Sequence, residues 1–535
     1  MKAFNDARMY ARFAFGLHRF LQQTMSLEQA RTALLANLAN REQNFLRVMQ
    51  KGIYGFAGSP YLPLLKRAGC EFGDIEEMVR SDGLLSALRR LREEGVYITF
   101  EEFKGREVIR RGNQEFPLGP MGFDNPFMKA SYVGESGGST GAGTRVSHDL
   151  DHLAARLPLQ IMNAEISGVR HMPRAMWRAP LPSAVGINMI INSAVMGNPP
   201  RKWFTPLFGN DLRPSLKYAL AGRYIMNMVR LHGVKVPPME HVPLDRADII
   251  VRWIQEVLRE EDAVHVAAGM SLSLRIALAA KDMGADLSGA VLSGGGEPPT
   301  DAKVEAIRST GARHRPSYHF SEAGAVGLPC NNPVDCNDHH FMADHLEVLQ
   351  FPRQVPGTET TVDAFNFTTL LPTAPKLLLN VEIDDYGIIE ERACGCEWEA
   401  LGLTRHVRGI RSFRKLTGEG MTLIGSDMER ILDKVLPARF GGSAQDYQLM
   451  EEEGEDGFTR RSVIVSPRIP LADESEVVET VLRELGRGDA AADLARAFMA
   501  QGRSLGVKRM EPVWTNRGKL MPLHLVNRVS TEGPP

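Results

Sequence analysis

The sequence predicts an α/β protein, with a large multi-layer N-terminal region built on parallel-rich sheets and a small, mobile α+β region at its C-terminus. Three observations carry this. Between residues 260 and 330, short apolar runs alternate with helix-like segments. A Gly/Ser/Thr-rich loop separates two strand-like runs near residue 136, and the composition changes after about residue 410.

The alternation is regular. AVHVAAG is an apolar run, and SLSLRIALAAKDMG reads as a helix closed by Gly284. GAVLSGGGEPP is a strand running into a glycine-rich turn, DAKVEAIRSTG is a second helix closed by Gly311, and RPSYHF is a further strand. In parallel sheets ligands bind at the carboxyl ends of strands, where GGGEPP and YHFSE fall.

Residues 1–115 read as a helical lead-in. Leu27, Ala30, Leu34, Leu38 and Phe45 recur at helical spacing, and Leu84, Leu88 and Leu91 resume the pattern after an Asp82-Gly83 break. KASYVGES and TRV are the strand-like runs around the loop, and a helix opens at Ser147 with Leu150, Leu153 and Leu157 on one face. KLTGEGMTLIGSDMERILDKVLP and the acidic turn EEEGEDG mark the smaller region. The boundaries are 1–412 and 413–535.

Composition narrows the function classes. The chain of 535 residues is 43% hydrophobic and 24% charged, which excludes wholesale disorder. Its net charge of −2, from 63 basic and 65 acidic residues, gives no electrostatic footprint for nucleic acid or an anionic membrane. The charge-free stretch Ala179–Pro200 is cut by Pro180, Pro182, Pro199 and Pro200, so it reads as a core element rather than a span. Arg12, His18 and Arg19 break the N-terminal apolar pattern, which argues against a signal peptide and for a cytoplasmic location. Five cysteines without that signal argue against a disulfide framework.

The candidate chemistry begins at the loop Ser136, Gly137, Gly138, Ser139, Thr140, Gly141, Ala142, Gly143, Thr144. Glycines let backbone N–H groups converge on an anion, and hydroxyls add donors. It lacks the G-K-[ST] ending of a Walker loop, and taken alone it also reads as a flexible connector. Tyr318 and Glu322 bracket a strand end, where an aromatic ring can stack on a base and a carboxylate can hold Mg²⁺. Alone, that segment is equally a capped strand terminus.

In this order the segments resemble the adenylate-forming superfamily, most closely its phenylacetate–coenzyme A ligase branch, over about residues 55–525. SGGSTGAGT is similar to the superfamily's phosphate loop, and GGGEPP to the turn that contacts adenine, which would be Gly295, Gly296, Glu297 and Pro298. Tyr318-His-Phe-Ser-Glu322 resembles Y-G-x-T-E: Tyr318 would stack on adenine, Ser321 would contact the α-phosphate and Glu322 would hold Mg²⁺. NVEIDDYG lies where the family keeps a ribose-binding Asp, here Asp384 or Asp385. CGCEWEALGL resembles the branch's C-x-CG segment, and TNRGKL the loop whose lysine reaches the acyl-phosphate, here Lys519.

The resemblance implies ATP- and Mg²⁺-dependent activation of a small carboxylic acid, then transfer to a thiol, coenzyme A by default. The alternatives are a protein or amine acceptor, including an acyl-carrier partner, and a nucleotide-binding relative without chemistry. The chain departs from the pattern in having Arg145 for the usual loop lysine, His319 for the glycine, and Arg414 or Lys415 for the hinge Asp.

Cys330, Cys336, Cys394 and Cys396 can supply four thiolates to one Zn²⁺, with His339 or His340 as a substitute for one of them; the other reading is buried reduced thiols. Cys70 stands apart in the helical region. His265, Trp177 and Trp203 read as core, and Glu451–Asp456 as a solvated turn.

Overall fold

The computed structural model describes residues 2–119, 122–128, 131–135, 145–181, 183–207, 216–354, 361–412, 416–418, 421–423, 430–454, 459–485, 496, 499–513 and 523–526. Its centre is a six-stranded sheet in which every pairing is parallel. The order is Arg313–Pro316, Ala290–Gly294, Val264–Ala267, Arg174–Trp177, Lys202–Thr205, Met239–His241. The four inner strands are largely buried because helices cover both faces, whereas the edge strands Arg313–Pro316 and Met239–His241 are polar and more exposed. Chain order runs outward in one direction from Arg174–Trp177 and in the other from Val264–Ala267, so the topological switch point lies between these two strands.

Ala179–Pro200 is indeed a core element. Helix Ala184–Met196 fills most of it, and Gly186 faces the Trp203 indole, leaving no room there for a side chain. Trp177 and Trp203 are fully buried, their indole N–H groups donating to the carbonyls of Val242 (3.1 Å) and Arg178 (2.9 Å).

A seven-stranded antiparallel sheet adjoins the first, ordered Tyr318–Phe320, Gly324–Pro329, His339–Phe341, Arg405–Ser412, Val381–Glu391, Thr361–Thr369, Leu346–Gln354. The chain passes directly from the parallel edge strand Arg313–Pro316 into Tyr318–Phe320, so the two sheets meet at that segment. The N-terminal helices pack on this sheet, with Leu84, Leu88 and Leu91 of Phe72–Glu93 in its core. Gly83 kinks that helix at φ 78°, where the sequence breaks its pattern.

The helix expected from Ser147 begins later. Ser147 lies within the strand Arg145–Asp149, which pairs with Ser131–Glu135, and Asp149 caps the helix Leu150–Ile166 by accepting from the Asp151 N–H at 2.8 Å. The hairpin takes the first residues because a pairing strand satisfies both backbone groups there.

The C-terminal region forms an α+β layer. Strands Leu505–Arg509, Thr459–Val465, Tyr447–Glu453 and Leu523–Val526 make a mixed sheet, and Val477, Val481 and Leu485 of helix Ser475–Leu485 are buried. Its apolar side continues the core of the parallel sheet. Of the stretch Glu451–Asp456 read as a solvated turn, Glu451 instead lies part-buried in the strand Tyr447–Glu453, accepting from the Arg461 guanidinium at 3.1 Å, while 455 and 456 lie outside the described residues. Among the described residues no helix is long and apolar enough to cross a membrane.

Asn380 joins the helical layer to the strand Val381–Glu391. Fully buried at φ 51°, it donates to the carbonyls of Leu88 (2.9 Å) and Val96 (3.1 Å). Asn380→Ala leaves two buried carbonyls without a donor and a left-handed backbone without an Asn. The expected loss is roughly 2–3 kcal/mol of unfolding free energy, read by urea denaturation.

Candidate active site and metal centre

The carboxyl ends of the parallel strands converge on the turn Gly294-Gly295-Gly296. A side chain at Gly294 would collide with the Ala268 carbonyl oxygen, and one at Gly295 with that of Ser317. The turn is therefore glycine because two backbones approach it. Glu297 is buried behind it, accepting from the Ser271 hydroxyl at 2.7 Å with Lys303 Nζ at 3.8 Å. Its carboxylate fastens the turn to the start of helix Met270–Asp282. Pro298 follows, half-buried.

Tyr318 follows at the sheet junction, and its hydroxyl donates to Asp385 Oδ2 at 2.7 Å. Burial and the Asp385 charge push the phenol well above its ordinary pKa, so it remains a donor. Asp385, of the two sequence candidates, meets this tyrosine. Asp384 is fully buried with φ 76°, and Ser412 Oγ donates to its carbonyl at 3.1 Å. A non-glycine residue in that region is strained, a feature common at functional sites.

Ser321 is exposed on the turn between Tyr318–Phe320 and Gly324–Pro329, while Glu322 beside it is buried. Glu322 Oε1 accepts from Lys104 Nζ at 3.0 Å. Burial raises the carboxyl's pKa, but Lys104 and then Lys376 outweigh it and hold it below the ordinary range. The pair's contribution is thus present above the ordinary Glu pKa and lost as pH falls. Lys104 carried no signal in the sequence. It follows a four-residue helix, Phe100–Phe103, whose capping box uses Thr99 and Glu102.

The loop Ser136–Thr144, Lys519 and the hinge positions Arg414 and Lys415 lie outside the described residues. The strands flanking the loop, Ser131–Glu135 and Arg145–Asp149, form an antiparallel hairpin.

The second constellation differs from the four-cysteine reading. Ligand atoms of Cys330, His340, Cys394 and His406 all lie within 4.8 Å of one another. Cys396 Sγ is 3.0 Å from His340 Nε2, and Cys394 Sγ 3.5 Å. Cys336 is elsewhere, its Sγ contacting the Pro299 carbonyl at 3.7 Å. The loop around it is pinned by the Val334 N–H on Asp338 and the Asn337 amide on the Ile410 carbonyl. His340 rather than His339 takes its place, because alternate strand residues face opposite sides.

The donor set fits zinc. His340 Nδ1–H donates to the Leu403 carbonyl and His406 Nδ1–H to Asp338, each at 2.7 Å, which leaves both Nε2 atoms as acceptors. His406 Nε2 is buried with no hydrogen-bond partner among the described residues. Burial raises the Cys330 thiol to about 12, so bare thiols stay protonated and a metal would displace their protons. His406 carried no sequence signal, since nothing marks a lone strand histidine as a ligand.

The known proteins bear on the fold. No protein-family profile and no curated protein sequence matches the chain. Among solved structures, it is similar to a 2-hydroxyisobutyryl-CoA ligase in complex with 2-HIB-AMP and CoA. The TM-score is 0.53 and the identity 14%, over 94% of this chain and 91% of that one. It also matches an amide bond synthetase from Marinactinospora thermotolerans, at TM-score 0.43 and 13% identity over 95% and 97% of the two chains. The chain thus has the fold of the adenylate-forming ligases.

The donor geometry predicts about one Zn²⁺ per chain by elemental analysis. Cys394→Ser and His340→Ala should lose it and lower the melting temperature by several degrees, about the effect of losing a ligand-linked stabilisation. Cys336→Ser should keep it. Metal loss in Cys336→Ser would restore the four-cysteine set instead.

Proposed function

We propose that this protein uses ATP to convert a carboxylic acid to its acyl-adenylate and then passes the acyl group to a thiol, with coenzyme A as the default acceptor. The observation that carries the reading is the Tyr318–Asp385 contact at the junction of the two sheets, on a fold shared with a ligase solved with an acyl-AMP. It brings the residue expected against adenine to the one expected against ribose.

In the first step an acid oxygen attacks the α-phosphorus, and the bond to pyrophosphate breaks. In the second, a thiolate attacks the acyl carbon and AMP leaves with that oxygen. The residues' task is to orient and to offset growing negative charge. Asp385 and Tyr318 would fix the nucleoside, and the exposed Ser321 hydroxyl would donate to the α-phosphate. Mg²⁺ arriving with the nucleotide would neutralise phosphate charge beside Glu322, whose carboxylate Lys104 would then have to share. Lys104 keeps this acid ionised in the meantime. Lys519, by its place in TNRGKL, is the cation for the acyl-phosphate oxygens.

ATP–pyrophosphate exchange across a panel of carboxylic acids, with and without coenzyme A, tests both steps. Acid-dependent exchange and a coenzyme A thioester are expected. Exchange without that thioester would move the acceptor to a protein thiol or an amine, and no exchange with any acid would overturn the adenylation reading. Lys519→Ala should slow exchange roughly a hundred- to thousandfold while ATP binding persists. Asp385→Asn should instead raise KM for ATP on the order of tenfold, since a charge-assisted hydrogen bond weakens to a neutral one.

A further inference from the structure

We propose that the acid activated here carries a second anionic group, a carboxylate or its equivalent, and that the Arg178 guanidinium binds it. This inference rests on the adenylation reading and names the substrate class within it.

Arg178 directly follows the parallel strand Arg174–Trp177, at the carboxyl end, beside the switch point. Such crevices are where open α/β sheets bind ligands. Its backbone is fixed on both sides: its N–H donates to the Phe204 carbonyl at 3.0 Å, and its own carbonyl accepts from the Trp203 indole at 2.9 Å. The side chain crosses the neighbouring strand ends. A Cβ at Gly269 would lie 3.7 Å from Nη1, and one at Gly294 only 2.7 Å from Nη2. Small residues at both strand ends thus make room for the guanidinium next to the turn that carries the candidate nucleotide site.

Among the described residues no side-chain hydrogen bond or ion pair forms to Arg178, and its Nε is buried without an acceptor. Several other deeply placed arginines do have a carboxylate: Arg111 pairs with Glu102, Arg461 with Glu451, Arg405 with Glu347. Arg174 also lacks a carboxylate among the described residues, but it begins the same strand at the opposite end. Burial lowers Arg178 to about 10, so it keeps its charge at neutral pH.

The neighbours reinforce the field. Arg156 Nη1 is buried without an acceptor among the described residues, its Nη2 reaches the Ala325 carbonyl at 3.4 Å, and the Asp344 charge acts on it. His319 is solvent-accessible, yet crowding of its ring by protein and then the Arg156 and Arg178 charges lower its pKa to about 4. His319 therefore stands neutral in the field of two cations. This also gives a use to the histidine that replaces the usual glycine. A part-buried cation without a counterion is retained where a ligand supplies the counter-charge.

The test compares matched acids, hexanoate with adipate and benzoate with terephthalate, by exchange in wild type, Arg178→Met and Arg178→Lys. Wild type should favour the diacid, and Arg178→Met should lower the diacid-to-monoacid ratio of kcat/KM by on the order of a hundredfold. Arg178→Lys should restore part of that ratio. Thermal melting of Arg178→Met without ligand should match or exceed wild type, since an unpaired charge is removed. Equal ratios in all three proteins would overturn the proposal, and a rise in KM for ATP with every acid would assign the guanidinium to nucleotide phosphate. Calorimetric titration of adipate and terephthalate separates the two readings. If no acid supports exchange, adenylation fails, while diacid binding lost in Arg178→Met still upholds the anion site. Without either, both fall.

Discussion

A side chain at Gly294 would strike the Ala268 carbonyl, and one at Gly295 that of Ser317. This contact between backbones is what the remaining architecture depends on. It draws the ends of three parallel strands together and lets the chain cross from one sheet into the other within a few residues. Tyr318 can then reach Asp385, which the antiparallel sheet delivers from a strand nearly seventy residues later. Cβ atoms at these positions would push the strand ends apart and open the junction.

The polar groups around that junction divide into two kinds. Glu297 and Glu322 are each tied to the fold by a nearby ammonium, Lys303 and Lys104 respectively, and so hold backbone in place as well as charge. Arg178 lacks such a counterion among the described residues, and Arg156 has only the charge of Asp344, which is itself paired with His345, acting on it there. A buried cation without a partner lowers stability, which is why such groups concentrate where binding repays the cost. The Cys/His cluster lies on the same antiparallel sheet, and the Cys336 contact with Pro299 links its loop to the glycine turn. Metal in the cluster would stiffen the segment that follows Glu322.

Much of this was legible from sequence because periodicity and glycine placement are local. The strand–helix alternation from 260 to 330 fell where expected except that RPSYHF, read as one strand, is divided at Ser317 between the two sheets, and the Gly83 break fell in the lead-in helix. Tyr318, Asp385 and the glycine turn converge as their order implied. What could not be read depends on tertiary pairing. Lys104 meets Glu322 across 218 residues, and His406 joins Cys330 only through the register of antiparallel strands. The zinc reading erred at Cys336 for that reason: spacing in the chain does not fix which way a loop turns. Arg178 was invisible because its significance lies in a missing partner. Ser147 was a plausible cap displaced by hairpin pairing.

The adenylate assignment is tested most directly by following an oxygen atom. An acid labelled with heavy oxygen in its carboxylate is incubated with the protein, ATP and an acceptor thiol, and the nucleotide product is analysed by mass spectrometry. Attack of the carboxylate on the α-phosphorus moves one labelled oxygen into AMP. Labelled AMP with unlabelled pyrophosphate is the predicted result. Label appearing in inorganic phosphate with ADP as the nucleotide product would mean attack at the γ-phosphorus and would contradict the assignment.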